Sequence, residues 1–250
     1  MKLKLQVRTR LMFQEVLSGL HHLPWLKHKL HQEFFYLKID LTIKPESITA
    51  VIGPSGSGKS TLFDMIGGFN QVDSGSVLWE DNDIGNLLPA QRPITVLFQD
   101  NNLFPHLNTY QNVALGLTTK LKNHEKFKFK IDDALEKVDM IEHSHKYPSE
   151  LSGGQKGRTA LARALVRKKP LLLLDEPFSA LGPGLRREML NLVKEISHKN
   201  KLTVMIVTHD PAELADVCQD VIVVAENSAT VPYHLQELLK NPPKSLNDYL

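Results

Sequence analysis

Short, uninterrupted apolar runs punctuate this chain, each closed by polar or turn-forming residues. Ile48–Ile52 ends at a glycine-rich loop, the pattern of a parallel strand buried on both faces. Ile94–Phe98, Leu171–Leu174 and Val204–Val207 repeat that pattern, and Leu62–Phe69 reads as a helix between two of them. Strands alternating with helices predict an α/β, doubly wound sheet. Between Gln99 and Leu151 the rhythm changes. Asn112–Leu117 and Ile131–Ile141 predict helices and no strong strand appears, so this stretch reads as a helical insertion. Leu235–Leu239 predicts a last short helix before a proline-rich end. No internal repeat interrupts the pattern.

Composition narrows the picture. The 250 residues are 42% hydrophobic, enough for one domain, or a domain with a subdomain, around a sizeable core. The net charge of +2 gives no whole-chain attraction to nucleic acid. The densest basic stretch, Lys120–Lys130, alternates lysine with apolar residues and reads as a solvated helix face. Cys218 is the only cysteine, so no disulfide forms within the chain, which fits a reducing compartment. Met1–Phe13 is broken by Lys2, Lys4, Arg8 and Arg10 and lacks the apolar core of a secretory signal. No run approaches the roughly 20 apolar residues that cross a bilayer. Work at a membrane would require docking on other chains.

The segment Gly53-Pro54-Ser55-Gly56-Ser57-Gly58-Lys59-Ser60, followed by Thr61, fits G-x-x-x-x-G-K-[ST] between a predicted strand and a predicted helix. Glycines permit the turns that aim successive amides at phosphates, and the helix start adds partial positive charge. Lys59 supplies a full charge and Ser60 a hydroxyl for magnesium, so ATP and Mg²⁺ are the expected ligands. The alternative is a chance glycine-rich turn, which both flanks disfavour. Downstream, four leucines lead into Asp175 and Glu176. Asp175 lies at the carboxyl end of its predicted strand, where such sheets hold ligands, and is the expected magnesium carboxylate. Glu176 is the candidate general base for the attacking water, against the plainer reading of a solvated acid beside Pro177.

Leu151-Ser152-Gly153-Gly154-Gln155 resembles the signature of ATP-binding cassette proteins. Ser152 is a plausible helix N-cap, and the apolar positions Ala160, Leu161, Ala164 and Leu165 continue at helical spacing. The resemblance extends from about Phe34 to Leu239 and is to the ATP-binding cassette subunit of a bacterial importer. It implies a P-loop NTPase (RecA-like) core with a mixed sheet, at about 34–99 and 158–240, and a helical subdomain at about 100–157. It further implies that Ser152, Gly153, Gly154 and Gln155 act in trans, on ATP held by a second copy of the chain. His209 resembles the switch histidine that contacts the γ-phosphate and braces the base. Gln99 resembles the glutamine that senses magnesium and water and hinges the helical insertion. Arg92–Leu107, Asn112–Leu117 and Leu185–Val193 resemble more narrowly the ATPases of thiamine importers. Iron, molybdate and polyamine importers share the rest.

Some positions depart from the family pattern. Gly182 replaces the aspartate of Ser-Ala-Leu-Asp, which crosses the dimer interface. Glu46 stands where a turn glycine is usual, and Lys156-Gly157-Arg158 replaces Arg-Gln-Arg. Phe34, Phe35 and Tyr36 all remain candidates for stacking on adenine. Leu11–His31 fits the family poorly, and its histidines lack the carboxylate or cysteine companions of a metal site.

The expectation is therefore an importer ATPase working as a homodimer with ATP between the copies. It would sit on the cytoplasmic face of the inner membrane, bound to integral permease subunits and served by a separate periplasmic solute-binding protein. A cassette acting in translation or DNA maintenance is the alternative. Such proteins usually pair two cassettes in one chain or carry a long coiled coil, and this sequence has neither. A regulatory, weakly hydrolysing cassette is a second alternative, suggested by Gly182.

Overall fold

The computed structural model describes residues 3–11, 35–100, 102–242 and 246, with no account of the side chains of 6–11, 35, 36 and 121–123. Phe34 and most of the Leu11–His31 segment therefore lie outside the described residues, as do the rings of Phe35 and Tyr36.

A mixed eleven-stranded sheet organises the molecule. Its parallel part contains β3 (Ile48–Ile52), β6 (Ile94–Leu97), β7 (Leu171–Asp175) and β8 (Thr203–Val207), with β9 (Asp220–Ala225) beside β3. Every residue of β3 and β8 is buried, as near-continuous apolar strands require when both faces are covered. The antiparallel part contains β1 (Leu3–Leu11), β2 (Phe35–Ile43), β4 (Ser74–Trp79) and β5 (Asn82–Asp83). β10 (Ser228–Ala229) joins β2 to β9, and β11 (Tyr233–His234) flanks β9.

Two apolar clusters fill the two sides of the sheet. One gathers Leu62, Phe63, Met65 and Ile66 of α1 (Lys59–Gly67) with Leu3, Leu5, Leu37 and Trp79. The other gathers α2 (Thr109–Ala114), α3 (Lys128–Glu136), α4 (Gly153–Leu165) and α5 (Pro183–Asn200) around Ile52, Leu174 and Ile206. The short α6 (Leu235–Lys240) closes the chain onto this side through Leu235 and Leu238.

Several boundaries differ from the sequence reading. α1 begins at Lys59 rather than Leu62, because the phosphate loop itself forms the helix start. α2 covers Thr109–Ala114 instead of Asn112–Leu117, because Asn108 and Gln111 form a reciprocal capping box that sets its start. α3 stops at Glu136, short of Ile141, since Asp139 turns left-handed (φ 53°). α4 runs unbroken through positions 157 and 158. Glu46, in place of a usual glycine, does occupy a left-handed conformation (φ 52°), and its amide donates to Thr203 Oγ1 at 3.0 Å.

Arg92 is the largest fully buried side chain and closes the end of α1. Its guanidinium donates to the carbonyls of Met65 (2.7 Å), Ile66 (2.8 Å), Gly85 (2.7 Å) and Leu87 (3.0 Å). Two of these belong to the last turn of α1, where the Met65 carbonyl also accepts from the Gly68 amide at 3.3 Å. Gly68 beside it takes φ 84°, and a Cβ there would lie 2.5 Å from Arg92 Nε.

Candidate functional site

The carboxyl ends of β3, β7 and β8 deliver the candidate residues to one edge of the sheet. β3 runs directly into the loop Gly53–Gly58. Gly53 takes φ 151°, and a Cβ at that position would fall 2.0 Å from the carbonyl oxygen of Val224, so only glycine lets the loop pass β9. Gly58 (φ 104°) is the N-cap of α1 and offers no side chain to its amides, which leaves them for an anion. Lys59 is 6% exposed, and its ammonium donates to Gly53 O at 2.7 Å and Pro54 O at 2.8 Å. Burial pulls its pKa down, while the carboxylates of Glu176 and Asp175 oppose the shift.

β7 ends in Asp175, and its carboxylate accepts a hydrogen bond from the Ser60 hydroxyl. Burial raises the pKa of Asp175; the Ser60 bond and the charge of Lys59 restrain the rise, and Glu176 adds to it. The next residue, Glu176, takes a left-handed conformation (φ 45°) that is strained for a side-chain-bearing residue. Its Oε1 lies 2.5 Å from His209 Nε2, just after β8. The glutamate side chain is 17% exposed and the histidine 51%, so the pair opens toward solvent from the histidine side.

Lys59, Ser60, Asp175, Glu176 and His209 thus form one constellation from three separate segments. Gln99 reaches the loop beyond it: its side-chain amide donates to Ser179 Oγ at 3.4 Å. Ser152 caps α4 through a reciprocal pair, Gln155 N to Ser152 Oγ at 3.3 Å and Ser152 N to Gln155 Oε1 at 3.0 Å. Among the described residues, no hydrogen bond or ion pair joins residues 152–155 to the Lys59–His209 constellation. The signature packs instead near Leu181 and Leu185 of its own chain.

Sequence reasoning missed Arg186. Its guanidinium pairs with Glu213 at 2.8 Å and donates to the carbonyls of Ser179 (3.2 Å) and Leu181 (3.0 Å). It ties the loop after Glu176 to the segment after His209, on the wall of a cavity of about 80 Å³ that both those residues line. The sequence signal was only an arginine near the start of α5; its partner is 27 positions away.

The Ser60 hydroxyl and the Asp175 carboxylate that accepts from it are hard oxygen donors of the kind magnesium takes.

The chain is similar to known proteins. The family described as "ABC transporter" matches residues 36–179. A second family, described as an AAA domain, putative AbiEii toxin, matches the shorter stretch 146–215. The chain is 45% identical to the "Thiamine import ATP-binding protein ThiQ" of Ruegeria sp. (strain TM1040), over 86% of this chain and 94% of that protein. Identity is again 45% with the protein of that name from Cereibacter sphaeroides, covering 88% and 96%. A dimeric, post-hydrolysis ATP-binding cassette bound to ADP and phosphate superposes with a TM-score of 0.73 at 26% identity, covering 94% of this chain and 99% of that one.

Proposed function

The chain belongs to the ABC transporter family and is an ATP-binding, ATP-hydrolysing transporter subunit, and from that premise we propose that it powers a thiamine importer. Two copies close head to tail on two ATP molecules, permease subunits dock on the helical unit around 100–157, and a separate periplasmic protein delivers the solute. No described helix is long and apolar enough to cross a membrane. In this reading the chain works from the cytoplasmic face through those permease subunits.

Each residue has a task in this reading. The loop amides from Gly53 to Thr61 surround the ATP phosphates, and the Lys59 ammonium exchanges its hydrogen bonds to Gly53 and Pro54 for phosphate oxygens. Ser60, Asp175 and Gln99 would hold Mg²⁺, which neutralises phosphate charge when bound. Glu176 orients and deprotonates the attacking water. His209 holds the Glu176 carboxylate in place from Nε2. Gly153 and Gly154 present the start of α4 to the partner copy's γ-phosphate. The single observation that carries the reading is the 2.5 Å Glu176–His209 pair beside buried Lys59 and half-buried Asp175.

Docking on a permease is supported by an aromatic surface next to Gln99. Phe69 (51% exposed) and Phe98 (38%) meet edge to face at 5.6 Å, and Phe104 nearby is 46% exposed. An exposed aromatic cluster of this kind suits burial by a partner chain. The transport reading is tested by uptake of labelled thiamine in cells lacking this chain. Thiamine uptake should be lost and should return with the wild-type chain. Normal thiamine uptake alongside lost iron, molybdate or polyamine uptake would reassign the solute.

Gly182 is the N-cap of α5, with extended backbone (φ −62°, ψ 157°) and no side-chain cap. A Cβ there meets nothing within 4 Å. Gly182→Asp should cap the α5 amides and lower the entropy of the unfolded chain. A gain of about 1 kcal/mol is expected in chemical denaturation. The same variant measures how much turnover the missing interface carboxylate costs the dimer: faster hydrolysis by Gly182→Asp would identify that cost.

A further inference from the structure

The site chemistry leaves one surface unused, the basic and aromatic tip of α3. Phe129 is 83% exposed, the most exposed large hydrophobic side chain among the described residues. Lys126, Lys128 and Lys130 surround it in sequence and all three are exposed. Between Lys120 and Lys130 the sequence carries five lysines and one glutamate, a local charge of +4 against +2 for the whole chain. Phe127, by contrast, packs against the core, with the Lys130 ammonium 5.9 Å from its ring centre.

Two features argue against an ordinary solvated face. A solvated helix needs no bare phenylalanine, and burying one elsewhere is worth far more than leaving it in water. The first turn of α3 also contains Lys128 and Lys130 and no acidic residue, the arrangement its helix dipole disfavours. Opposing charges are not absent. Glu125 is exposed on the preceding turn, Asp132 is half-buried, Asp133 is paired with Lys137 at 2.9 Å, and Glu136 lies at the far end. The positive charge is therefore concentrated at the tip rather than spread along the helix.

We propose that this tip is a contact for an anionic bilayer surface, with Phe129 entering the interface and the lysines binding lipid phosphates. The chemistry is that of an interfacial anchor: an exposed aromatic ring flanked along the chain by lysines. Position supports it. Tyr110 of α2 meets His124 beside the tip edge to face with ring centres 5.4 Å apart, while the Phe104 amide, on the aromatic surface proposed for the permease, donates to Asn112 of the same helix at 2.8 Å. That relation to the membrane rests on the transporter reading; affinity of the isolated chain for lipid does not. The contact orients the helical unit beneath the membrane and limits its tilting as the dimer opens.

Vesicle flotation with the isolated full-length chain tests this. Binding is expected to vesicles of phosphatidylcholine with phosphatidylglycerol, not to phosphatidylcholine alone, and to weaken with added salt. Replacing Lys126, Lys128 and Lys130 with Gln should each lower the partition coefficient about fivefold. Phe129→Ser should lower it about tenfold with every lysine in place. ATP hydrolysis by the isolated variants should match wild type, which separates this test from that of the catalytic site. Equal binding by wild type and variants would overturn the proposal. So would an absence of lipid binding by the wild-type chain together with variants that fail to assemble with the permease, since the tip would then be a protein contact. Unchanged affinity in Phe129→Ser would reject insertion of the ring.

Discussion

Glu176→Gln is expected to reduce ATP hydrolysis by about 10²–10⁴-fold while leaving ATP binding close to wild type. The amide keeps the shape and volume of the carboxylate, and His209 can still bond its oxygen. It cannot accept a proton from water. The residue sits in a strained left-handed conformation, and its neighbours Asp175 and Lys59 hold the phosphate end of the site without it. Two measurements check the point. Single-turnover hydrolysis should collapse, and sedimentation with ATP should show a dimer that persists because reopening waits on hydrolysis. Near-normal turnover would remove Glu176 as the base and leave His209, or water held by other groups, to be tested.

Arg92→Met should be the most destabilising change outside the site. It removes a guanidinium that is 2% exposed and satisfies four carbonyls at once. Methionine fills part of the volume but donates nothing, so the Ile66, Gly85 and Leu87 carbonyls lose the Arg92 donor and the Met65 carbonyl keeps only the Gly68 amide. A loss of about 3–5 kcal/mol follows. In a chain of this size that corresponds to a melting temperature lower by about 10 °C or more. Arg92→Lys should rescue little, because a single ammonium cannot span acceptors that the planar fork reaches from one position. Saturating ATP should restore part of the loss through binding to the folded state. A melting temperature unchanged in Arg92→Met would mean that solvent or neighbouring groups satisfy these carbonyls.

The parallel half of the fold was legible because its strands are buried on both faces. Leu171–Leu174 is apolar without a break and Ile48–Ile52 is interrupted only by Thr49, and the turn residues closing each short run mark it as a strand. The antiparallel half was not. Leu3 and Leu5 alternate with Lys4 and Gln6, a period-two pattern that marks a strand, yet the segment was weighed only as a targeting sequence. The constellation around Lys59 was legible because each member lies in a short contiguous motif. Arg186 was not, because its role depends on Glu213 and on a loop that only the folded chain brings near. The tip of α3 was read as a solvated face; its lysines fit that description and its Phe129 does not.

β1 lies in the interior of the sheet, with Leu3 opposite Ile43 on one side and Trp79 on the other. β1 is synthesised before both of its partner strands and is thus among the last parts of its lobe to be secured. It must wait, with its apolar positions uncovered, until both flanking strands have been synthesised. A translational pause placed before Trp79 should prolong that interval and expose the nascent chain to chaperones or to aggregation, whereas a pause just after it should allow the lobe to close.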